Sequence, residues 1–248
     1  MKKLREKSEI WFAVLHIIAY VVLFSAADDV SKAMGVQKCI TLPVCIIFSI
    51  VIFLFVKKNM LTEYYGLCKS SCDLKKWLYF IPLIALSTVN LWNGAALSLS
   101  IMETVLYAAS MLFVGFLEEM IFRGYLFRAM YKNNVKAAII VSGITFGMGH
   151  IVNLLNGAKL LPTLMQIVYA TAIGFLFTII FVKSGSIIPC IISHAFINLT
   201  SVIGVEPEMN IRIIFNLTLT VIAAAYADYI FKAIPNKILQ SVNSEANA

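Results

Sequence analysis

Charge is scarce in this 248-residue chain: only 13% of its residues are Asp, Glu, Lys or Arg. A soluble globular domain carries about 25%. Proline and histidine are also few, with 6 and 3 copies, and no C-x-x-C, HExxH or Gly-rich phosphate loop occurs. Their absence removes zinc-ribbon, thioredoxin-type redox, zincin and nucleotide-binding readings. No basic stretch is interleaved with aromatics, so nothing points to nucleic acid, although the formal net charge is +7. The five cysteines, at 39, 45, 68, 72 and 190, fit no metal or redox spacing and read as free thiols.

What fills the sequence is apolar: 60% of residues are hydrophobic. They come in blocks, which a single core of this size cannot hide. About 20 predominantly apolar residues cross the hydrocarbon of a bilayer as a helix. Eight such blocks are expected, at 10–27, 39–56, 77–95, 97–117, 136–150, 161–182, 186–204 and 211–231. The fold class is therefore all-α, a polytopic integral membrane helical bundle with about eight transmembrane helices. The lipid bilayer is its first partner.

Alternating these spans from a cytoplasmic N-terminus places 16 of the 20 Lys and Arg on the cytoplasmic side and 4 opposite. That bias is what the positive-inside rule requires, and it puts both termini in the cytoplasm. The first block has a basic start and Ser25-Ala26-Ala27 before Asp28, which loosely resembles a cleavage site. Its length favours a retained anchor. The longest polar connection is 57–76, and the tail from 233 is polar. The Lys- and Ile-rich make-up suggests a bacterial plasma membrane.

The informative residues are the ionisable ones inside the spans, each costing about 2.5 kcal/mol or more to insert. Glu118, Glu119 and Arg123 lie on the fourth block and its extension, His150 ends the fifth, and His194 with Asn198 lies in the seventh. Glu119 and Arg123 are i and i+4, so they can pair on one face. Glu118 is turned roughly 140° from Arg123 and is free to face a cavity. His194 and Asn198, and likewise Phe146 and His150, are one turn apart, so each pair shares a face. His16, alone in the first span, reads as a packed histidine. Gly143, Gly147 and Gly149 would allow close helix approach near His150. One tension stands. In this count Glu118 falls at the cytoplasmic end of its span and His150 at the far end of its own, so the fifth helix must be short or tilted, or the boundaries must shift.

These residues form EExxxR (118–123), FxxxH (146–150) and HxxxN (194–198). In this order, in apolar helices, they resemble the CPBP family of CAAX proteases and bacteriocin-processing enzymes, also called Abi proteins. The resemblance covers about residues 100–205. It implies a division into N-terminal spans (1–96), a catalytic helical core (97–205), and a last span with its tail (206–248). It also implies an intramembrane endopeptidase acting on a membrane-associated or prenylated peptide or protein substrate. Eukaryotic members of that family remove the last three residues of prenylated CAAX proteins.

The implied site is Glu118, Glu119, Arg123, Phe146, His150, His194 and Asn198. Glu118 would be the general base, with His150 orienting the same water. His194 and Asn198 would donate to the oxyanion, and Glu119 with Arg123 would fix the helix face. No cofactor is required on this reading. The competing one is a zinc enzyme with Glu118, His150 and His194 as three ligands. Two further classes stay open: a proton-coupled transporter, though no symmetric pair of broken helices appears, and an inactive peptide-binding scaffold or immunity protein.

Overall fold

The computed structural model describes residues 1–70 and 81–234. Cys72, Lys75, Lys76, Lys237, the start of the 77–95 block and the polar tail from 235 lie outside the described residues. Eleven α-helices are described: α1 (Lys2–Lys7), α2 (Glu9–Ala33), α3 (Thr41–Lys58), α4 (Ile81–Ser87), α5 (Ile101–Glu119), α6 (Arg128–Tyr131), α7 (Val135–Gly149), α8 (Val152–Leu155), α9 (Leu160–Ser184), α10 (Ile188–Ser201) and α11 (Met209–Ala233). A π-helical segment, Met120–Phe127, joins α5 to α6, so Ile101–Tyr131 runs as one helical rod.

Six helical stretches are long and apolar enough to cross a membrane, and α10 is a shorter apolar helix. Their outward faces are greasy. Trp11, Ile18 and Val22 on α2, Ile47 and Leu54 on α3, and Leu217 and Val221 on α11 are all exposed. An unbroken set of exposed large apolar side chains suits lipid rather than water. The protein is an integral membrane helical bundle.

The connections gather at two opposite ends. At one, Arg5 Nε donates to the Tyr65 hydroxyl at 2.7 Å, Tyr64 donates to Glu9, and Ser186 Oγ donates to the Cys68 carbonyl at 2.6 Å. Gly66 helps join this end. Its φ is +75°, and a Cβ there would strike the Phe181 ring; the Ile187 amide donates to its carbonyl at 2.9 Å. At the other end, Ala95 and Gly204 form an antiparallel bridge, and the Gln37 amide donates to Glu103. Among the described residues, the six long stretches and α10 make seven apolar helices, roughly consistent with about eight spans. Within the 77–95 block the described helix is only Ile81–Ser87, followed by a 3-10 turn at Val89–Leu91.

Local chemistry explains the boundaries. Ser100 caps α5 by accepting from the Glu103 amide, and its hydroxyl donates to the Glu103 carboxylate. Asn134 caps α7 through Ala137 N. Gly185, at φ 70°, ends α9 in the left-handed conformation. The N-terminus of α10 tolerates Pro189 because the first-turn amides have no intrahelical partner.

α9 is the most enclosed of the long helices and packs between α7 and α11. Glycines set its crossing with α7. A Cβ on Gly174 would lie 2.8 Å from the Gly143 carbonyl oxygen, and one on Gly147 would overlap Thr171. Gly143 and Gly147 therefore serve the α7–α9 contact, while Gly149 makes no such close approach. His16 is buried and packs against Phe12 and Tyr125, its Nδ1 2.7 Å from its own helix's Phe12 carbonyl. The four described cysteines, Cys39, Cys45, Cys68 and Cys190, are free thiols.

Candidate active site

The π-helical segment begins directly after Glu119. Such segments widen the helix and are frequent at functional sites. Here the segment carries Arg123 inward, where it is completely buried, as is Glu119. Arg123 Nη1 donates to Glu119 Oε1 at 3.0 Å and Nη2 to the Gly174 carbonyl at 3.1 Å. Its guanidinium lies 4.2 Å from the centre of the Phe146 ring and 5.5 Å from that of Phe177. The Arg is thus clamped by one carboxylate, one carbonyl and two aromatic faces.

The same Glu119 oxygen accepts from His194 Nδ1 at 2.9 Å. The other ring nitrogen, Nε2, lies 3.5 Å from Glu118 Oε2. With Nδ1–H donating to Glu119, any proton on Nε2 lies on the Glu118 side. His194 is held in register because Gly115 on α5 meets Ala195 on α10: a Cβ on Gly115 would lie 2.7 Å from the Ala195 amide nitrogen. That small-on-small crossing is what brings the seventh block onto the EExxxR helix.

Glu118 is turned away from the buried pair, and its side chain keeps 16% exposure. It accepts a hydrogen bond of 2.7 Å from the Tyr20 hydroxyl. Tyr20 lies on α2, in a region where the sequence showed only an apolar span, so sequence reasoning missed it. A Tyr within an apolar block carries no signal until the fold shows what it faces. Gly115, Gly174 and Phe177 were missed for the same reason.

Phe146 joins the parts. Its ring meets His150 at 5.7 Å, His194 at 5.4 Å and Phe122 at 5.5 Å, all edge-on. His150 lies just past the end of α7, and its Nδ1 is 3.3 Å from the Phe146 carbonyl. With Nδ1–H donating there, a neutral His150 keeps its Nε2 lone pair for other partners. Because α7 is a short helix and the EExxxR helix continues to Tyr131, Glu118 lies within its rod and α7 ends at its level. The tension between the two span ends disappears.

Glu118, Phe146, His150, His194 and Asn198 all line one cavity of about 870 Å³. Asn198 makes no side-chain hydrogen bond with another described residue. Glu119 and Arg123 stand behind the wall. Glu119 Oε2 and Arg123 Nε are buried with no hydrogen-bond partner among the described residues. No group of three or more His, Cys, Asp and Glu side chains among the described residues is arranged to hold a metal ion. Glu118, His150 and His194 share the cavity without forming such a group.

Residues 100–200 match the family model described as type II CAAX prenyl endopeptidase Rce1-like. The match covers about two fifths of the chain and supports the reading of this segment as similar to CAAX-type membrane proteases. No curated protein and no solved structure matches the chain.

Proposed function

We propose that the protein hydrolyses a peptide bond of a membrane-associated or prenylated substrate with a water activated by Glu118, without a metal ion. The observation that carries this reading is the arrangement of His194 at the inner end of the cavity. One ring nitrogen is fixed by the buried Glu119–Arg123 pair, and the other faces Glu118. A carboxylate, an oriented imidazole and a semi-enclosed cavity are what general-base hydrolysis needs.

Tyr20 occupies Glu118 Oε1, which leaves Oε2 to take the proton of the attacking water. His150, which lines the same cavity, orients that water through Nε2. The hydroxide adds to the scissile carbonyl. The oxyanion is met by the Asn198 amide, which lies one turn beyond His194 on the cavity face, and by His194 Nε2 only when the ring carries a second proton as the imidazolium, because its Nδ1–H already serves Glu119. The proton held by Glu118 then passes to the leaving amine as the C–N bond breaks, and the carboxylate is regenerated. Losing one oxyanion donor typically costs about 10²–10³ in rate.

The cavity is lined in part by loop and helix-end residues Lys32, Gln37, Lys38, Asn156, Gly157 and Ala158, and we take its mouth to lie there, away from the basic N-terminus. The positive-inside bias puts both termini in the cytoplasm, so substrate enters from the outer face of a bacterial plasma membrane. The test is cleavage of candidate peptides by purified protein, followed by mass spectrometry, with and without exhaustive chelation and beside Glu118→Gln. Turnover that survives chelation and is abolished in Glu118→Gln is expected. Turnover lost on chelation and restored by zinc would replace the metal-free mechanism. Full turnover by Glu118→Gln would refute the role of the carboxylate.

A further inference from the structure

A second cavity, of about 360 Å³, adjoins the catalytic one, and Ala158, Gln166 and Ser201 line both. Ser201 lies three residues past Asn198 and seven past His194, so the three side chains form one stripe along α10. The stripe leads from the inner end of the catalytic cavity to the side chamber, which Ser201 meets about 4.5 Å along the axis beyond Asn198. Asn90, another residue of the chamber lining, is held to the same helix, its amide donating to the Ile197 carbonyl at 2.7 Å. The chamber also reaches Glu206, whose side chain is 84% exposed.

The lining is polar in a way that apolar contents cannot satisfy. Arg212 Nη2 donates to Glu206 at 2.7 Å, but Arg212 Nε is buried with no hydrogen-bond partner among the described residues. Asn216, one turn further along α11, donates through Nδ2 to the Arg212 carbonyl, and its Oδ1 is likewise buried and unpartnered. Both residues line the chamber. One orphan is a donor and the other an acceptor, and leaving either alone is costly. A lipid tail serves neither, whereas water accepts from the first and donates to the second. The volume is far above the roughly 10–15 Å³ that one water needs.

Gln166 stands at the junction. Its Oε1 accepts from Asn153 Nδ2 at 2.9 Å, and its side chain also hydrogen bonds with Tyr169. Asn153 lines the catalytic cavity and Tyr169 the chamber, so one amide links a residue of each. Hydrolysis consumes one water for every bond cleaved, and a substrate that fills the catalytic cavity blocks its mouth. We infer that the side chamber is the route by which water reaches Glu118 while substrate occupies the catalytic cavity, with Gln166 as the positioning residue that keeps the junction wet. The inference rests on the proteolytic reading of Glu118.

Two measurements in lipid nanodiscs test it. The first labels introduced cysteines with a small charged methanethiosulfonate and reads each site by mass spectrometry of digests, which separates them from the native thiols. Gln37→Cys marks the main mouth and Ser201→Cys the junction, each in Glu118→Gln protein. The probe is a peptide ending in farnesylated Cys and three apolar residues, at a concentration shown by anisotropy to saturate. The peptide should remove most labelling at Gln37→Cys and leave most of it at Ser201→Cys. Loss at both positions would overturn the route, as would a Ser201→Cys that is never labelled. An unprotected Gln37→Cys would overturn it too, because the mouth would then admit water past the substrate. The second measurement is cleavage with Glu118 intact. Gln166→Leu and Gln166→Ser both give up the link between Asn153 and Tyr169, but only leucine fills the junction with apolar atoms. Gln166→Leu should lower kcat about 10-fold or more with KM little changed, and Gln166→Ser should keep kcat near that of the parent. Equal kcat in the two variants, high or low, would overturn the role of Gln166 in passing water. Labelling of Ser201→Cys under peptide, with no cleavage by the parent, would keep the wet chamber and overturn the proteolytic reading.

Discussion

Arg123→Met separates the buried ion pair from everything it supports. The substitution removes the donor to Glu119 Oε1 and leaves that carboxylate fully buried, its other oxygen already without a partner. An uncompensated buried charge of this kind costs about 3–5 kcal/mol. In a chain of this length each kcal/mol moves the melting temperature by roughly 2–4 °C, so a fall of about 6–20 °C is expected for Arg123→Met. Pairing it with Glu119→Gln removes the orphaned charge, and a neutral amide oxygen still accepts from His194 Nδ1. The double variant should therefore melt above Arg123→Met alone, with a coupling of about 1–3 kcal/mol. The assay is thermal unfolding in detergent for the parent, both single variants and the double. A double variant that melts at or below Arg123→Met would refute the reasoning, because the cost would then lie in lost packing over Phe146 and Phe177 and not in a stranded carboxylate.

The remaining expectations concern the parts that hold the reactive groups. Tyr20→Phe removes a hydrogen bond to a carboxylate, worth about 1.5–3 kcal/mol; kcat should fall roughly 10- to 150-fold with KM little changed, and an unchanged kcat would dismiss Tyr20 from the site. Gly115→Leu forces α5 from α10 at Ala195. Overpacking of this kind costs about 1–3 kcal/mol, but a shift of His194 by about 1 Å can cost 10²-fold in rate, so activity measured at a temperature where the protein stays folded should drop far more than stability does. Asn198→Ala, by removing one oxyanion donor, should lower kcat about 10²-fold or more and leave the melting temperature within a few degrees.

The membrane class and the rough number of passages were legible because lipid demands long apolar helices, and such blocks are visible without any knowledge of packing. The pairing of Glu119 with Arg123 was legible for a different reason: it is set within one helix by 3.6-residue periodicity. Contacts between helices were not. His194 reaches Glu119 and Glu118 through the Gly115–Ala195 crossing, and neither small residue stands out in an apolar run. The relative depth of Glu118 and His150 was left open between a short fifth helix and shifted boundaries; the EExxxR helix runs on to Tyr131 through its π-helical segment, and α7 is the short Val135–Gly149. Tyr20 was silent in the sequence because a hydroxyl on an apolar helix gains meaning only from its partner.

The constellation is consistent with the energetics of charge in a membrane. Glu119 and Arg123 are fully enclosed and pair with each other, so their insertion cost is offset locally. Glu118, one residue away, is denied that partner by the turn of the helix and meets instead a phenol, an imidazole and the open cavity. Adjacent carboxylates in one helix thus come to differ in accessibility: one is locked into the scaffold and the other is available to a substrate. The helix that supplies Tyr20 and Asp28 lies outside the matched segment 100–200, so one wall of the cavity is contributed by a part of the chain with no family motif. Residues 100–200 supply Glu118, Phe146, His150, His194 and Asn198 to the cavity, and α2 with its following loop supplies Tyr20, Asp28 and Lys38.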